Sequence, residues 1–579
     1  MFRQHRNMFK CFKKEFSQDQ RVALWLTVWC VVNILQAAFT ELSNDEAYYH
    51  LYARNLAWGY FDHPPIVALL VWLGEKIFST TELGVRFFFT LLQPLYLYLF
   101  WKTIKPQQAQ KEDAWLYLGI VSSLLIIQLY GFIAVPDGPL MASVALFLYT
   151  WKIFTEEKRH SAIALGFSVG LMALSKYHGA FVLLFTLMAS IPFFVQRPKN
   201  ILRLVPAAVI ALLVIFPHLK WQNDNGWVSI LYHASGRNGE FKMEYLIEFI
   251  INVLVVFSPL YLPLWVKSYR YVKAISPLER ALKFMPIAFI IFFTASSCRG
   301  YVQPQWVIAA SFGLIWILFS YLREHQRSRR YLYKASLLTL LLLVVVRIEM
   351  IFNPLGIYAE IFNNRTLMKD IQSKANGRPV IFDSRYTMAA KYLLYTGEKC
   401  YSQADIELRA SQWNISENDR EFIGKPVMLQ VYPTRTAVDK PLICAKAPSG
   451  SDMFFIYENC YRPVHEIKID AHFDSFSKTL KKGDKLNFTL DIYNPYPYDV
   501  LIDGHKTKLE LVIGKIKHPF NTFSLTDSLV LKSNEHFLGN YNFTMPEMKE
   551  GKYDMGFVIN RQDLRAWYGG RKYKVRYKD

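Results

Sequence analysis

Apolar residues come in blocks along the first 350 positions of the chain, and polar segments separate these blocks. The blocks are about 17–22 residues long, the length that an α-helix needs to cross a hydrocarbon core of about 30 Å. The pattern predicts eleven transmembrane helices, near residues 22–39, 84–101, 114–134, 138–154, 161–175, 179–195, 202–219, 246–266, 281–297, 305–321 and 334–349. No small-residue cleavage site follows the first block, which indicates an uncleaved span.

The pattern changes after residue 350. Residues 350–461 alternate strand and helix signals, with RPVIFD, KPVMLQVYP and SDMFFIYENC as strands and TMAAKYLLYTG as a helix. From residue 462 onward, period-two runs such as KLNFTLDIY and TKLELVIGKI alternate with turns, which is typical of a β-sandwich. We therefore predict a transmembrane domain over 1–349, a small α/β domain over 350–461 and a β-sandwich-like domain over 462–579.

Composition and charge agree with a membrane protein. Hydrophobic residues make up 52% and aromatic residues 16% of the 579 positions, which argues against an ordinary soluble enzyme. The formal net charge is +20, and the basic residues concentrate in alternate short loops, at 3–14, 156–160, 196–200, 267–274 and 323–330. This is the positive-inside distribution, so we expect the N-terminus in the cytoplasm and the residues after 350 outside. The same placement argues against a nucleic-acid partner.

The loops on the outer side carry most of the acidic, histidine and aromatic residues of the membrane half. The first of them contains NDEAYYHLYARNLAWGYFDHPP. Ser43 and Glu46 fit a capping box, which predicts a helix from Asp45 to about Trp58, ended by Gly59. Its aromatic side chains are typical of a helix in the membrane interface. The segment IVALLVWLGEKIF predicts a second interfacial helix after a His-Pro-Pro turn.

The adjacent carboxylates Asp45 and Glu46 point about 100° apart on a helix, so they cannot act on one substrate atom. This excludes the paired-carboxylate arrangement of glycoside hydrolases. We expect Glu46 to cap the helix N-terminus, which leaves Asp45 available for chemistry at the outer edge of the membrane. The alternative is that both carboxylates only satisfy N–H groups at the helix N-terminus.

Four further polar residues on the outer side are candidates, and each has a structural alternative. His63 and Asp137 are also typical of turns. Lys176 and Arg299 are also typical of side chains that extend from the ends of spans towards water. All four fall on the same side of the membrane, which favours a shared site.

The cysteines indicate little chemistry. Cys400, Cys444 and Cys460 lie in the predicted outer part, where a disulfide between two of them is an option. No CxxC and no Cys/His spacing indicates a metal site.

The outer-loop motifs resemble those of polytopic glycosyltransferases of the GT-C fold. The similarity is to the bacterial relatives of protein O-mannosyltransferases and of the aminoarabinose transferase that modifies lipid A. It covers roughly residues 20–320, and its motifs are DEAYYHLYARNLAWGYFDHPPIVALL, ELGVRF, PDGPL, LSKYHGA and CRGYVQPQW.

The resemblance implies an inverting transfer of a sugar from a polyprenyl-phosphate donor to an acceptor hydroxyl on lipid A or lipopolysaccharide, another glycan or a protein. Asp45 matches the acidic residue of the family's first loop and would be the general base. Tyr49 matches a tyrosine near the donor. Asp137 matches the second acidic position, which orients the acceptor or neighbouring cationic groups. Glu46 is assigned to the donor-binding residues as well.

The leaving phosphate needs positive charge or hydrogen-bond donors. His63, at a position that some relatives fill with lysine, Lys176 and Arg299 are the candidates, and Arg299 is the strongest because a guanidinium binds phosphate in two places. Tyr301 lies next to Arg299 and is assigned to donor binding too.

We expect no metal ion to be required, although Asp45, Glu46 and Asp137 offer oxygen ligands for Mg²⁺ or Mn²⁺. The resemblance implies a bacterial inner membrane with the C-terminal domains in the periplasm. A flippase, polymerase or transporter for polyprenyl lipids is the alternative function. A transporter typically has ionisable groups at the bilayer midplane and repeated halves, and the sequence shows neither pattern.

Overall fold

The computed structural model describes residues 16–235, 241–357, 361–383, 386–404, 410–433, 440–447, 452–514, 521–561 and 564–578. The basic segment 3–14, with Cys11, lies outside these residues. The chain forms two compact units, Met1–Phe362 and Asn363–Asp579. The predicted division into three domains stays a prediction, since the α/β layer and the β-rich layer both lie in the second unit.

The first unit is helical. Its α-helices, α1 to α18 in chain order, are Gln18–Phe39, Asn44–Arg54, Ile66–Phe78, Glu82–Ile104, Asp113–Ser122, Leu125–Leu129, Asp137–Thr155, Ser161–Ser175, Gly179–Ala189, Ile191–Gln196, Lys199–Leu202, Leu204–Asp224, Val228–Ser235, Met243–Val256, Leu262–Tyr271, Pro277–Ser297, Ala310–Leu322 and Gln326–Phe352. Every predicted span coincides with one of these helices or with a consecutive pair. The helical class and the approximate positions of the apolar segments are therefore confirmed.

Few of these helices can cross a bilayer by length and composition. The four that can are Gln18–Phe39, Glu82–Ile104, Lys199–Asp224 and Gln326–Phe352. A fifth candidate is the pair Met243–Val256 and Pro259–Tyr271, which is bent by 77°. Predicted span 114–134 is broken where the Ser123 hydroxyl donates to the carbonyl of Gly119. The count of eleven spans stays a prediction.

Small residues let the helices around the outer loops pack closely, as is common for membrane helices. A Cβ atom on Gly74 of α3 would lie 2.0 Å from the carbonyl oxygen of Gly84 in α4. A Cβ atom on Gly166 of α8 would lie 2.3 Å from the carbonyl oxygen of Ala207 in α12. Neither position has room for a side chain, so these two contacts fix how the helices that carry the outer loops approach each other.

A buried polar network joins four helices of the same unit. The Asn33 amide of α1 donates to Gln93 Oε1 of α4 at 2.6 Å. The Arg347 guanidinium of α18 donates to Asn33 Oδ1 at 2.8 Å and to the carbonyl of Gln128 in α6 at 3.1 Å. Hydrogen bonds of this kind between apolar helices specify which faces meet.

The second unit begins with an α/β layer. Its strands β1 to β5 are Val380–Asp383, Cys400–Gln403, Val427–Val431, Ile443–Lys446 and Asp452–Glu458, and its helices α19 to α21 are Asn364–Ala375, Tyr386–Thr396 and Trp413–Ser416. The sheet order is β2-β1-β3-β5-β4, with β1 parallel to β2 and β3 and with β5 antiparallel to β3 and β4. The strands and the helix predicted from RPVIFD, KPVMLQVYP, SDMFFIYENC and TMAAKYLLYTG are confirmed.

The β-rich part follows. Its strands β6 to β16 are Lys468–Phe473, Thr479–Leu480, Lys485–Tyr493, Val500–Ile502, Thr507–Gly514, Asn521–Thr526, Leu529–Leu531, His536–Thr544, Gly551–Arg561, Leu564–Tyr568 and Tyr573–Tyr577. One sheet has the order β13-β8-β6, and another contains β11-β10-β14-β16-β7. Alternate residues of β8 are buried with Leu509 and Leu511 of β10 and Phe557 of β14 in one core. The predicted β-rich C-terminal region is thus confirmed, and two of its sheets contribute residues to one core.

The suggested disulfide is wrong, because Cys400, Cys444 and Cys460 are all free. Cys400 lies on β2 and Cys444 on β4, at opposite edges of the five-stranded sheet. Four strand spacings separate them by about 19 Å, whereas a disulfide joins Cα atoms less than about 7 Å apart. Cys460 lies beyond the end of β5, and Cys444 pairs with Phe454 near its start.

Candidate active site

The first outer loop begins with helix α2, and its capping box is confirmed. The amide of Glu46 donates to the Ser43 hydroxyl at 3.4 Å, and the amide of Ser43 donates to Glu46 Oε2 at 2.9 Å. Asp45 is exposed on the first turn, whereas Glu46 is fully buried. The two adjacent carboxylates therefore point in different directions, as the helix geometry predicted.

The end of α2 and the surroundings of its tyrosines differ from the prediction. The helix ends at Arg54, with Asn55 as its C-cap, and does not reach Trp58. Tyr48, Tyr49 and Tyr52 are all buried inside the unit. Because these tyrosines pack against protein atoms, they do not contact lipid, and the depth of α2 in the membrane stays a prediction.

Arg86, from the motif ELGVRF, holds this helix in place. Its Nε and Nη2 atoms donate to the two Glu46 oxygens at 2.5 Å and 2.6 Å, and its Nη1 donates to the carbonyl of Thr40 at 2.5 Å. The amide of Ala134 also donates to Glu46 Oε1, at 2.8 Å. Burial by itself raises the pKa of Glu46, but Arg86 and these hydrogen bonds bring that pKa below its ordinary value. The carboxylate is therefore ionised.

Glu46 thus links α2 to α4 and to the loop before α7. Both of its carboxylate oxygens accept hydrogen bonds from the protein. We interpret it as a residue that fixes the position of its neighbour Asp45. Direct contact between Glu46 and a donor stays a prediction.

Asp137 and Lys176 form a second buried ion pair. Asp137 is the first residue of α7, and Lys176 follows the last residue of α8. The Lys176 ammonium donates to both Asp137 oxygens at 2.8 Å, and both side chains are buried. Lys176 therefore does not extend towards water from the end of a span, and Asp137 is more than a turn residue.

Tyr130, for which the sequence held no signal, interacts with residues from several of the predicted outer loops. The carboxylates of Asp137 and Asp45 and the phenol of Tyr301 all interact electrostatically with the Tyr130 phenol. Asp45 lies in the first turn of α2, Asp137 is the first residue of α7, and Tyr301 follows α16. Both predicted acidic residues and one predicted donor-binding residue therefore act electrostatically on the same phenol.

Tyr49 and His63 are also brought together. Their ring centroids are 5.6 Å apart in an edge-on arrangement, and the His63 ring lies 6.1 Å from that of His233 in α13. The His233 ring lies 5.4 Å from that of Tyr177, which follows Lys176 in the chain. Four neighbouring rings therefore form a continuous series from the His-Pro-Pro turn to Tyr177, which is next to Lys176 of the second ion pair.

Side chains from α12 and α13 hold the loop that contains His63. His218 Nδ1 lies 2.6 Å from the carbonyl oxygen of Trp58, so this nitrogen carries the proton, and His218 Nε2 lies 3.1 Å from the Tyr177 hydroxyl. The Ser229 hydroxyl donates to the carbonyl of Tyr60 at 2.5 Å. Neither side chain was predicted from the sequence. Ser229 lies in an outer loop rich in histidine and tyrosine, whereas His218 lies inside the predicted span 202–219, where no pattern indicated a role.

Arg299 and Tyr301 lie in the turn after α16. Both side chains are exposed, and no ion pair joins Arg299 to another described residue. The Tyr301 ring lies 6.2 Å from the ring of Tyr245, and its phenol interacts with Glu248 of α14. Arg299 is thus exposed at the protein surface, and its contact with a donor phosphate stays a prediction.

A protein-family model matches part of this chain. The model described as dolichyl-phosphate-mannose-protein mannosyltransferase matches residues 62–221. This range begins at Asp62 in the first outer loop and includes Arg86 and the Asp137–Lys176 pair.

Two curated relatives come from Rhizobium johnstonii. The lipopolysaccharide core galacturonosyltransferase RgtA is 23% identical over 314 residues, which cover 49% of this chain and 61% of the relative. The lipid A galacturonosyltransferase RgtD is 25% identical over 318 residues, which cover 52% of this chain and 65% of the relative. The matches therefore span less than two thirds of the length of either relative.

A solved structure shares the fold. The crystal structure of ArnT from Cupriavidus metallidurans bound to undecaprenyl phosphate aligns with a TM-score of 0.56 at 14% identity, over 75% of this chain and 97% of ArnT. The resemblance to GT-C glycosyltransferases is confirmed. The chain therefore has a GT-C-like helical part that is followed by a β-rich part.

Proposed function

We propose that the chain is an inverting glycosyltransferase that moves a sugar from a polyprenyl-phosphate donor to an acceptor hydroxyl on the outer side of a membrane. The observation that carries this proposal is the contrast between the two acidic residues of the predicted outer loops, Asp45 and Asp137. The first carboxylate is exposed, and the second is buried and paired with Lys176. An exposed carboxylate can accept a proton, whereas a paired carboxylate holds its partner cation in place.

In the proposed reaction Asp45 is the general base. It removes the proton from the acceptor hydroxyl, whose oxygen attacks the anomeric carbon of the donor sugar. The bond between that carbon and the phosphate oxygen breaks, and the electron pair leaves with the polyprenyl phosphate. One displacement of this kind inverts the anomeric configuration. The proton ends on Asp45 and is released to water after the product leaves.

The leaving phosphate gains a negative charge, so the reaction needs cationic groups or hydrogen-bond donors beside it. The two bonds to Asp137 use two of the three N–H donors of Lys176 and leave one for a phosphate oxygen. Arg299, exposed at the outer surface, offers a planar guanidinium. His63 and Tyr301 would supply further hydrogen bonds.

Tyr49 is proposed to contact the donor sugar. It is buried, and its ring faces the ring of His63. An aromatic side chain in this position supplies a rigid apolar surface for a sugar ring, while the neighbouring imidazole supplies polarity.

We propose that transfer requires no metal ion. Both oxygens of Glu46 are bound by Arg86, and both oxygens of Asp137 are bound by Lys176. Only Asp45 of the three acidic residues remains exposed, so these residues form no cluster of exposed carboxylates for a cation, and the cationic side chains of Lys176 and Arg299 are proposed to neutralise the phosphate instead. We expect the transfer rate to stay unchanged in excess EDTA, and a loss that added Mg²⁺ or Mn²⁺ restores would contradict this expectation.

We further propose eleven spans in a bacterial inner membrane, with the N-terminus in the cytoplasm and the second unit in the periplasm. The loop charges support this orientation. The similarity to RgtA and RgtD supports lipid A or the lipopolysaccharide core as acceptor, and the similarity to ArnT supports an undecaprenyl-phosphate donor.

The proposal is tested with the purified chain, undecaprenyl phosphate carrying galacturonic acid or another sugar, and lipid A or core oligosaccharide. We expect the release of free undecaprenyl phosphate together with an acceptor whose mass has increased by one sugar. A flippase or transporter would move the lipid across proteoliposomes without cleaving it. Movement without cleavage would therefore replace the proposed function with that alternative.

Replacing Arg299 by alanine is expected to weaken donor binding. A hydrogen bond to a charged group contributes about 1.5–3 kcal/mol, so we expect the apparent KM for the lipid donor to rise by about 10-fold or more. The KM for the acceptor should stay the same. Arg270→Ala is the matched control, because Arg270 is an exposed arginine in the last turn of α15, within the basic segment 267–274 of the predicted cytoplasmic side. An unchanged donor KM in Arg299→Ala would remove Arg299 from the phosphate site.

A further inference from the structure

We propose that Asp419, His465 and Glu466 of the second unit bind a divalent transition-metal ion, with Zn²⁺ as the best match. Asp419 precedes the short 3₁₀ turn Arg420–Phe422. His465 and Glu466 lie in the connection between β5 and β6, which joins the α/β sheet to the β-rich part. All three residues belong to the second unit, whereas the residues of the proposed transferase site belong to the first.

The distances suit metal ligands. One nitrogen or oxygen atom from each of the three side chains lies within 4.8 Å of the others. His465 Nε2 lies 3.6 Å from Asp419 Oδ1, which is too long for a good hydrogen bond. Two ligands of a tetrahedral Zn²⁺, at bond lengths of about 2.0–2.2 Å, are separated by about 3.4 Å. A metal ion between the two atoms would therefore fit with little movement.

The Asp419 carboxylate supplies an independent observation. The residue is 0% exposed, and its Oδ2 accepts a hydrogen bond from the Tyr461 hydroxyl at 2.5 Å. Its Oδ1, which faces His465, has no hydrogen-bond partner among the described residues. A buried carboxylate oxygen without a donor is costly, at about 1–3 kcal/mol or more. A cation at this position would remove that cost.

The other two ligands are held by their surroundings. Glu466 Oε2 accepts from Nε and Nη2 of Arg420 at 2.9 Å and 2.5 Å, which leaves Oε1 for a metal. The backbone amide of Glu466 donates to the Tyr496 hydroxyl at 3.0 Å. The His465 ring stacks on the ring of Tyr401 at 6.4 Å. Supporting contacts of this kind orient metal ligands in proteins.

The site opens to a cleft of about 340 Å³, with walls that include Asn414, Glu417 and Asn418. Three protein ligands and one open position form the pattern of an exchangeable zinc site. One imidazole and two carboxylates favour Zn²⁺, Ni²⁺ or Cu²⁺ over Mg²⁺ and Ca²⁺, which prefer oxygen ligands alone. The sequence had no signal for this site, because Asp419 lies far from His465 along the chain.

The test uses the full chain, purified in detergent without a histidine tag, stripped with EDTA and dialysed. Zn²⁺ is titrated by calorimetry, and Co²⁺ is titrated by its visible absorption. We expect one Zn²⁺ per chain in the wild type, and an affinity at least about 10-fold weaker in both His465→Gln and Asp419→Asn. Zn²⁺ should raise the melting temperature of the wild type but not that of the variants.

The control is His536→Gln. His536 and Asp491 form an exposed pair at 2.7 Å in the same unit, so this variant should bind Zn²⁺ as the wild type does. His465 is half-buried, and its substitution therefore decides the question even if Asp419→Asn fails to fold. Absence of Zn²⁺ binding in the wild type would leave only a histidine–aspartate contact and would overturn the proposal. Equal Zn²⁺ affinity in the wild type and His465→Gln would overturn it too.

Discussion

Replacing Asp45 by asparagine is expected to lower the rate of sugar transfer by about 10²- to 10⁴-fold, the typical contribution of a general base. Asparagine has nearly the same shape but cannot accept the proton of the acceptor hydroxyl. Asp45 is exposed and lies on a helix that Glu46 and Arg86 hold, so the variant should fold normally. The measurement is the release of undecaprenyl phosphate per chain, with donor binding followed separately.

The matched control for this experiment is Asp224→Asn. Asp224 is an exposed aspartate at the end of α12 and pairs only with Lys220 on the same helix among the described residues. The Asp224→Asn variant should transfer sugar at the wild-type rate. If Asp45→Asn turns over as fast as Asp224→Asn, Asp45 is not the base. A loss of transfer with normal melting and normal donor binding would support its assigned role.

Breaking the pair between Glu46 and Arg86 should have the largest effect on stability. Glu46→Gln leaves the Arg86 guanidinium buried without its counter-charge, which costs about 3–5 kcal/mol in comparable cases. We expect a lower melting temperature in detergent. We also expect slower transfer, because Asp45 is the preceding residue on the helix that this pair anchors.

A double variant separates the two effects. In the double variant Glu46→Gln/Arg86→Met, the guanidinium that Glu46→Gln leaves without a counter-charge is absent. We therefore expect the double variant to melt at a higher temperature than Glu46→Gln alone. Asp224→Asn breaks an exposed pair and should change stability by less than about 1 kcal/mol. A Glu46→Gln protein that melts like Asp224→Asn would contradict the anchoring role of the pair.

Local patterns were sufficient to predict many elements of the fold. Blocks of apolar residues predicted the positions of the helices, and the capping box at Ser43 and Glu46 predicted where α2 begins. Period-two runs predicted strands such as Lys485–Tyr493, in which alternate residues are buried. These features depend on residues within a few positions of each other, so they can be recognised without knowing the rest of the structure. The predicted end of α2 was wrong, because Gly59 was taken as the stop and the helix ends earlier.

Contacts between distant parts of the chain could not be predicted in this way. Arg86 was visible in ELGVRF, but its partner Glu46 lies 40 residues away. Asp137 and Lys176 were both candidates, and their pairing depends on how α7 packs against α8. No sequence signal predicted that Tyr130 interacts with both Asp45 and Asp137, or that His465 lies near Asp419.

The sequence by itself determined the membrane class of this protein and the succession of its helices and strands, and the charges of its loops predicted the side of the membrane on which its polar residues lie. Each follows from local hydrophobicity, period and charge. Only the tertiary structure decided that Asp45 is exposed while Glu46 is buried against Arg86. Which carboxylate can react and which one is held by a cation depends on burial and on partners that folding brings from elsewhere in the chain.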